Sequence, residues 1–287
     1  MILVTGATGR VGYRLMEALA DARADVAAMV RVEARAEDLP GTPRHVVATL
    51  DKPPAAEVLR EFDRIFLLSP EIEEQAELET VFIDAVTAAG HRPHIVKVCA
   101  DGFQDPGCDV RFMRAHRQVA LHLEALDLPV TYLAAATYME DLLDEAEQIR
   151  STGELRASAG HGRAGFISVT DVAAAAARVL TTSGHEGATY VLTGPEALSY
   201  ARVAAQFARV LAWQVEYANQ SEERERELLL SQGRTPWEAD GAIERFAWIR
   251  EGGADTVTGT AAELTGASPR PLPEWLAESR AAFVGLP

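Results

Sequence analysis

The sequence predicts an α/β protein, a doubly wound and mainly parallel sheet followed by a smaller, mostly helical C-terminal lobe. Three observations carry this expectation. Short apolar runs alternate with amphipathic stretches from residue 2 to about residue 136, the rhythm of strands joined by crossover helices. The first apolar run leads directly into a glycine-rich turn and then a helix. Beyond residue 136 the alternation fades and helical patterns dominate.

Ile2-Leu3-Val4 is the first strand. Val11, Leu15, Ala18 and Leu19 then recur at helical spacing, so the following helix buries one stripe. Between them Gly6 permits a tight turn, Gly9 lets a pyrophosphate approach the backbone, and Gly12 lets the helix pack close to the strand. The helix N-terminus adds free N–H groups and the positive end of its dipole. Gly6, Thr8, Gly9, Arg10, Val11 and Gly12 therefore form a candidate dinucleotide site. The spacing is G-x-x-G-x-x-G rather than the commoner G-x-G-x-x-G. The competing reading is an ordinary strand-to-helix turn.

Asp25 to Val30 is the second strand and ends at Arg31. In a dinucleotide site this end faces the adenosine ribose, where NAD-selective proteins usually place a carboxylate. A guanidinium instead pairs with a 2′-phosphate through forked, charge-assisted contacts. Arg31, with Arg10 able to help from the glycine loop, favours NADP. The alternative leaves Arg31 solvated and Glu33 on the ribose.

The alternation continues with a strand at 44–48, a short helix at 54–62, and a strand at 64–68 that ends in Leu68, Ser69 and Pro70. A long helix spans 73–90, with Gly90 as its C-terminal stop. A fifth strand spans 94–99, a helix 110–126 and a sixth strand 129–134. Ligands of such sheets bind beyond the carboxyl ends of the strands, here Gly6, Arg31, Leu68 with Ser69, Cys99 to Asp101, and 135–138. The later segments read as a loop at 160–165, a strand at 166–169, a helix at 172–180 capped by Asp171, and a seventh sheet strand at 188–192. Helices at 200–213, 222–231 and 238–250 follow, then two short segments at 258–266 and 273–283. The charge run 221–227 reads as a solvated helix face.

Composition narrows the function. A net charge of −16 over 287 residues opposes a nucleic-acid surface, which needs basic patches. Cys99 and Cys108 have no metal-like spacing and suggest no disulfide framework. The dispersed histidines and acids suggest no metal site. No run approaches the length of a membrane span, and the first strand begins too early to leave room for a signal peptide. A cytoplasmic protein acting on a small molecule is expected, with its oligomeric state open.

Thr5 to Gly12, Arg31 and the stretch 129–142 together resemble the atypical short-chain dehydrogenase/reductases, and within them the NmrA-like branch. The resemblance implies a Rossmann domain over 1–136 and 166–195, and a substrate lobe over 137–165 and 196–287. It also implies a Ser-Tyr-Lys triad, in which the Tyr gives a proton to the substrate carbonyl and the Lys lowers its pKa and holds the nicotinamide ribose. The sequence departs from that pattern. The Tyr position falls on Phe112, the Lys position on His116, and the Ser position on or beside Cys99; Ala120 stands where the branch often has Glu. His116 either touches the ribose or is a surface helix histidine. Cys99 reads as a buried strand end rather than a nucleophile. Tyr138 is the nearest phenol available as an acid, or else packs apolarly. Asp101 either orients a substrate hydroxyl or begins a loop. Cys99, Asp101, Phe112, Tyr138 and Met139 are the expected substrate wall. The missing triad is similar to that of ketoreductases of angucyclinone antibiotic pathways, which implies NADPH-dependent reduction of a polycyclic aromatic ketone. A quinone reductase or a non-enzymatic NADP sensor are the alternatives.

Overall fold

The computed structural model describes residues 1–35, 37–41 and 43–284. The chain begins with β1 (Ile2–Val4), α1 (Arg10–Asp21), β2 (Val26–Val30), a 3-10 turn at Glu33–Arg35, and β3 (Arg44–Val47). It continues through α2 (Ala56–Leu59), β4 (Arg64–Leu67), α3 (Gln75–Ala88), β5 (His94–Ala100), α4 (Arg111–Ala125) and β6 (Val130–Ala135). Next come β7 (Thr137–Tyr138), a 3-10 segment at Met139–Glu145, α5 (Ala146–Thr152), β8 (Glu154–Ala157), β9 (Arg163–Ile167), α6 (Val169–Thr181) and β10 (Thr189–Leu192). The rest is β11 (Ala197–Ser199), α7 (Tyr200–Leu211), β12 (Glu216–Asn219), α8 (Glu222–Ser231), α9 (Pro236–Arg250), α10 (Thr260–Thr265), α11 (Leu272–Glu278) and α12 (Arg280–Val284).

A seven-stranded sheet in the order β10-β6-β5-β4-β1-β2-β3 carries the expected doubly wound fold. Its inner strands pair in parallel, with Leu3 opposite both Ala27 and Ile65, and Ile65 opposite Ile95. β5 and β6 are buried along nearly their whole length, which is why they read as continuous apolar runs rather than as an alternation. The order reverses at β1, with β2 and β3 on one side and β4, β5 and β6 on the other, so the loop after β1 lies at the switch point where such sheets bind ligands. α1 buries Val11, Gly12, Leu15, Met16 and Leu19, and it packs against the alanine-rich α6, whose small side chains permit a close approach.

The chain forms two compact units: residues 1–99, 114–134 and 169–190 in the first, and 100–113, 135–168 and 191–287 in the second. The second unit is mostly helical. It also holds a three-stranded sheet, β11-β9-β7, and a two-stranded one, β12-β8; of these five strands the sequence indicated only β9, through the expected strand at 166–169. Its core gathers Leu142, Ile149, Leu155, Phe166, Phe207, Trp275 and Phe283. The buried Glu140 carboxylate accepts from Trp275 Nε1 at 3.0 Å and Ser168 Oγ at 3.1 Å.

Three local expectations change. The predicted loop at 160–165 becomes strand from Arg163 onward, since Ala164 and Gly165 pair with β11. Asp171 lies in the first turn of α6 rather than at its cap, where a carboxylate still favours the helix dipole. The charge run 221–227 is not wholly solvated: Ser221 caps α8 by accepting from Arg224 N, and Glu225 is buried, its carboxyl pushed up to about 7 by burial and by the neighbouring Glu145.

Candidate functional site

The glycine loop is built around close backbone contacts. Gly6 has φ +60°, and Gly9 N donates to Gly6 O at 2.9 Å. A Cβ on Gly12 would lie 2.0 Å from Gly6 O and 2.7 Å from Gly6 C, so only glycine lets α1 start this close to the turn. The Thr5 hydroxyl fixes the loop to the end of β4, donating to Leu68 O at 3.0 Å and accepting from Leu68 N at 2.9 Å. Gly6, Thr8, Gly9 and Arg10 are exposed, while Val11 anchors the helix in the core. Gly9 caps α1 with no side-chain hydrogen bond, and no acid occupies the first turn. The first N–H groups thus face an uncrowded surface with a positive dipole end, which suits phosphate.

Arg31 follows β2 and is exposed. Glu33, the acid that competes with it for the ribose end, is held by His45 Nε2 at 3.1 Å. Ser69 is buried at the end of β4, where its Oγ donates to Glu79 Oε1 at 2.6 Å.

His116 is not a surface residue: it is 3% exposed, on the inner face of α4. Its Nδ1 lies 3.2 Å from Gln75 Nε2 and 3.3 Å from Lys97 Nζ. Lys97 is wholly buried and forms an ion pair with the equally buried Glu79 at 3.1 Å. It also donates to the carbonyl of Val98. Ser69, Glu79, Lys97, His116 and Gln75 thus make one continuous polar cluster inside the first unit. Glu79, Lys97 and Gln75 were not among the sequence candidates. The available signal was Lys97 itself, a charge in the middle of the apolar run Ile95-Val96-Lys97-Val98, because such a charge is almost never buried unless paired.

The expected substrate wall is partly corrected. Cys99 is 1% exposed at the end of β5, and burial pushes its thiol up to about 12, so it presents neither a nucleophile nor a surface. Met139 is also 1% exposed, inside the core of the second unit. Phe112 is buried edge-on against Trp237, at 5.2 Å between centroids, with the Arg245 guanidinium 4.6 Å from its ring centre. Beneath it lies Gly241, where a Cβ would come within 2.3 Å of Phe112 Cζ. The ring is packed so closely on α9 that only glycine fits beneath it. Arg111 fixes the same helix, donating from Nη2 to Glu244 Oε1 at 2.7 Å and from its backbone N to Glu244 Oε2 at 2.8 Å. Asp101 and Tyr138 are partly exposed. Asp101 accepts from Gly102 N at 2.9 Å, and burial raises its carboxyl above the usual range.

Among the described residues no group of three His, Cys, Asp or Glu side chains could hold a metal ion. No helix among them is long and apolar enough to cross a membrane.

Comparison with known proteins agrees with this architecture. The chain is 32% identical to (4-alkanoyl-5-oxo-2,5-dihydrofuran-3-yl)methyl phosphate reductase of Streptomyces griseus, over 99% of both chains. It is 29% identical to NAD(P)H azoreductase of Xenophilus azovorans, again over 99% of both. Its structure is similar to that of the NADPH-dependent quinone oxidoreductase of Escherichia coli complexed with NADPH, with a TM-score of 0.88, 26% identity, and coverage of 98% of this chain and 100% of the other. The NmrA-like family model matches residues 1–259. With its open glycine loop at the switch point of a seven-stranded sheet, the chain belongs to the NmrA-like family of atypical short-chain dehydrogenase/reductases.

Proposed function

We propose that this NADPH-dependent oxidoreductase transfers hydride to a conjugated carbonyl of a planar, polycyclic aromatic substrate, without a tyrosine acid. The observation that carries the reading is Phe112. The position that the family resemblance assigns to the proton donor holds a buried phenyl ring packed on Gly241, which has no proton to give. The relatives named for azo and quinone reduction support an acceptor that is conjugated and takes hydride readily.

The residues fit the cofactor. Gly6, Thr8, Gly9, Arg10, Val11 and Gly12 would hold the pyrophosphate, Arg31 the 2′-phosphate, and Leu68 with Ser69 the wall beside them. His116 would position the nicotinamide ribose. When bound, NADPH would supply the hydride. Asp101 and Tyr138 would contact the substrate. The carbonyl carbon would gain the hydride, and its oxygen would take a proton from an adjacent phenolic hydroxyl of the substrate, which would regain one from water. An internal hydrogen bond of that kind already polarises the carbonyl and replaces part of the electrostatic stabilisation that a protein donor would give.

Steady-state NADPH oxidation tests this with an ortho-hydroxyaryl ketone, its hydroxyl-free analogue and a quinone. The hydroxyaryl ketone should turn over and the analogue should be slow even when bound. Tyr138→Phe should lower the rate by less than the roughly 10²–10⁴-fold expected from losing a true general acid. Normal turnover of the analogue, or abolition by Tyr138→Phe with binding intact, would overturn the substrate-assisted proton. Turnover of the quinone alone would assign the protein to quinone reduction, the second reading, which the missing acid and the quinone oxidoreductase relative also favour.

Cofactor choice has its own expected result. Arg31→Ala should weaken NADPH by roughly ten- to a hundredfold, the equivalent of about 1.5–3 kcal/mol for a lost charge-assisted contact, and should leave NADH nearly unchanged. Fluorescence titration of both cofactors measures it. Equal losses for the two would remove Arg31 from the 2′-phosphate.

A further inference from the structure

We infer that Lys97 is a positioning residue that fixes the tautomer of His116, keeping the imidazole neutral with its proton on Nε2. A lysine ammonium has three N–H bonds and no lone pair. Lys97 donates to the Val98 carbonyl, lies 3.3 Å from His116 Nδ1, and is held by the charge of Glu79, whose Oε2 is 3.1 Å away in an ion pair without hydrogen-bond geometry. Toward Nδ1 it can only donate, so Nδ1 must present its lone pair. The neutral ring then carries its hydrogen on Nε2.

Gln75 follows from the same constraint. Its side-chain nitrogen lies 3.2 Å from Nδ1. The opposite amide orientation would set a carbonyl oxygen against the imidazole lone pair. A proton on Nδ1 is worse still, since in the neutral Nδ1–H tautomer and in the cation alike it would point an N–H at a buried ammonium. The groups around the ring do not relieve that repulsion. β5 contributes Lys97 and the Cys99 thiol, which burial keeps protonated. α3 contributes Gln75 and Glu79, and that carboxylate is already shared between Lys97 and the Ser69 hydroxyl. On α4 itself the nearest charges in sequence are Arg114 and Arg117, which add positive charge. Lys97 and Glu79 are fully buried and His116 is 3% exposed, so water screens little of this.

The consequence is a histidine that does not act as a pH switch. It offers one fixed N–H donor throughout the range in which histidines ordinarily titrate. The kinetic part of the test, though not the tautomer, rests on the proposed contact between His116 and the cofactor ribose. The spectroscopic part uses ¹⁵N-histidine-labelled full-length protein, long-range ¹H–¹⁵N correlation, and His116→Gln to assign the signal. The wild type should show the Nε2–H pattern for His116, unchanged from about pH 5.5 to 8. Lys97→Met should replace it with a mixture of tautomers that titrates. Lys97→Met/Glu79→Gln, which removes both charges, should behave in the same way and serves if the single variant fails to fold. An Nδ1–H tautomer in the wild type, or titration of its His116 within that range, overturns the inference; so does an unaltered His116 signal in the folded variants. The kinetic part compares kcat/KM for NADPH against pH, where the variant should gain a limb that the wild type lacks. If the tautomer shifts as expected and no limb appears, the positioning role of Lys97 stands and the ribose contact of His116 is lost.

Discussion

Replacing Gly12 with alanine should abolish useful NADPH affinity and lower the melting temperature as well. The new Cβ would sit 2.0 Å from Gly6 O, 2.7 Å from Gly6 C and 2.9 Å from Ala7 Cα. All three are backbone atoms in the turn that feeds α1, and no flexible side chain can move aside. The helix must therefore back away from the loop. Overpacking usually costs about 1–3 kcal/mol, and the upper end is expected here. Affinity should fall by about a hundredfold or more, since 1.4 kcal/mol is already tenfold. Gly9→Ala is the internal comparison. Gly9 has φ −83°, which any residue adopts, and its added Cβ would meet Gly6 O at a less severe 3.2 Å. It should retain most of its stability and lose affinity only through crowding of the phosphate. Thermal melts and NADPH titrations of both variants check this. Wild-type binding by Gly12→Ala would mean that the helix does not need its close approach to the turn.

Lys97→Met should be strongly destabilising, at about 3–5 kcal/mol. It strands the Glu79 carboxylate in a site with no exposure, and removing one partner of a buried ion pair leaves an uncompensated charge. The double variant Lys97→Met/Glu79→Gln should recover most of the loss. Replacing both charges of a buried pair is often neutral, and the glutamine oxygen can still accept from Ser69. Urea denaturation of the two single variants and the double variant measures the coupling. Additive losses would show that the two charges act independently, contrary to their 3.1 Å separation. A pair that contributes little net stability has its stronger rationale in what it orders, and here it orders the ring of His116.

Much of the fold was legible because the first unit is locally consistent. Apolar runs such as Ile65-Phe66-Leu67 can only be buried strands when helical stripes flank them, and the glycines of the opening loop sit at the spacing that the turn requires. The second unit was less legible. Its strands β7, β8, β11 and β12 carry no apolar run to mark them, and they exist because they pair: Leu198 with Ala164, and Tyr217 with Leu155. Glu225 shows the same limit, since a charge run looks solvated until a neighbouring element covers one of its members.

The candidate site divides along the same line. The sequence by itself determined the glycine turn between β1 and α1, the arginine that follows β2, and the absence of a Tyr-x-x-x-Lys pair, because each depends on neighbours within a few residues along the chain. Only the tertiary structure decided that Phe112 is locked against Gly241 across 129 positions of chain, that Cys99 and Met139 are buried, and that His116 faces Lys97 rather than solvent. Those outcomes depend on which helix packs on which strand. A buried ammonium chooses its acceptors by distance in space, and spacing along the chain carries no record of that choice.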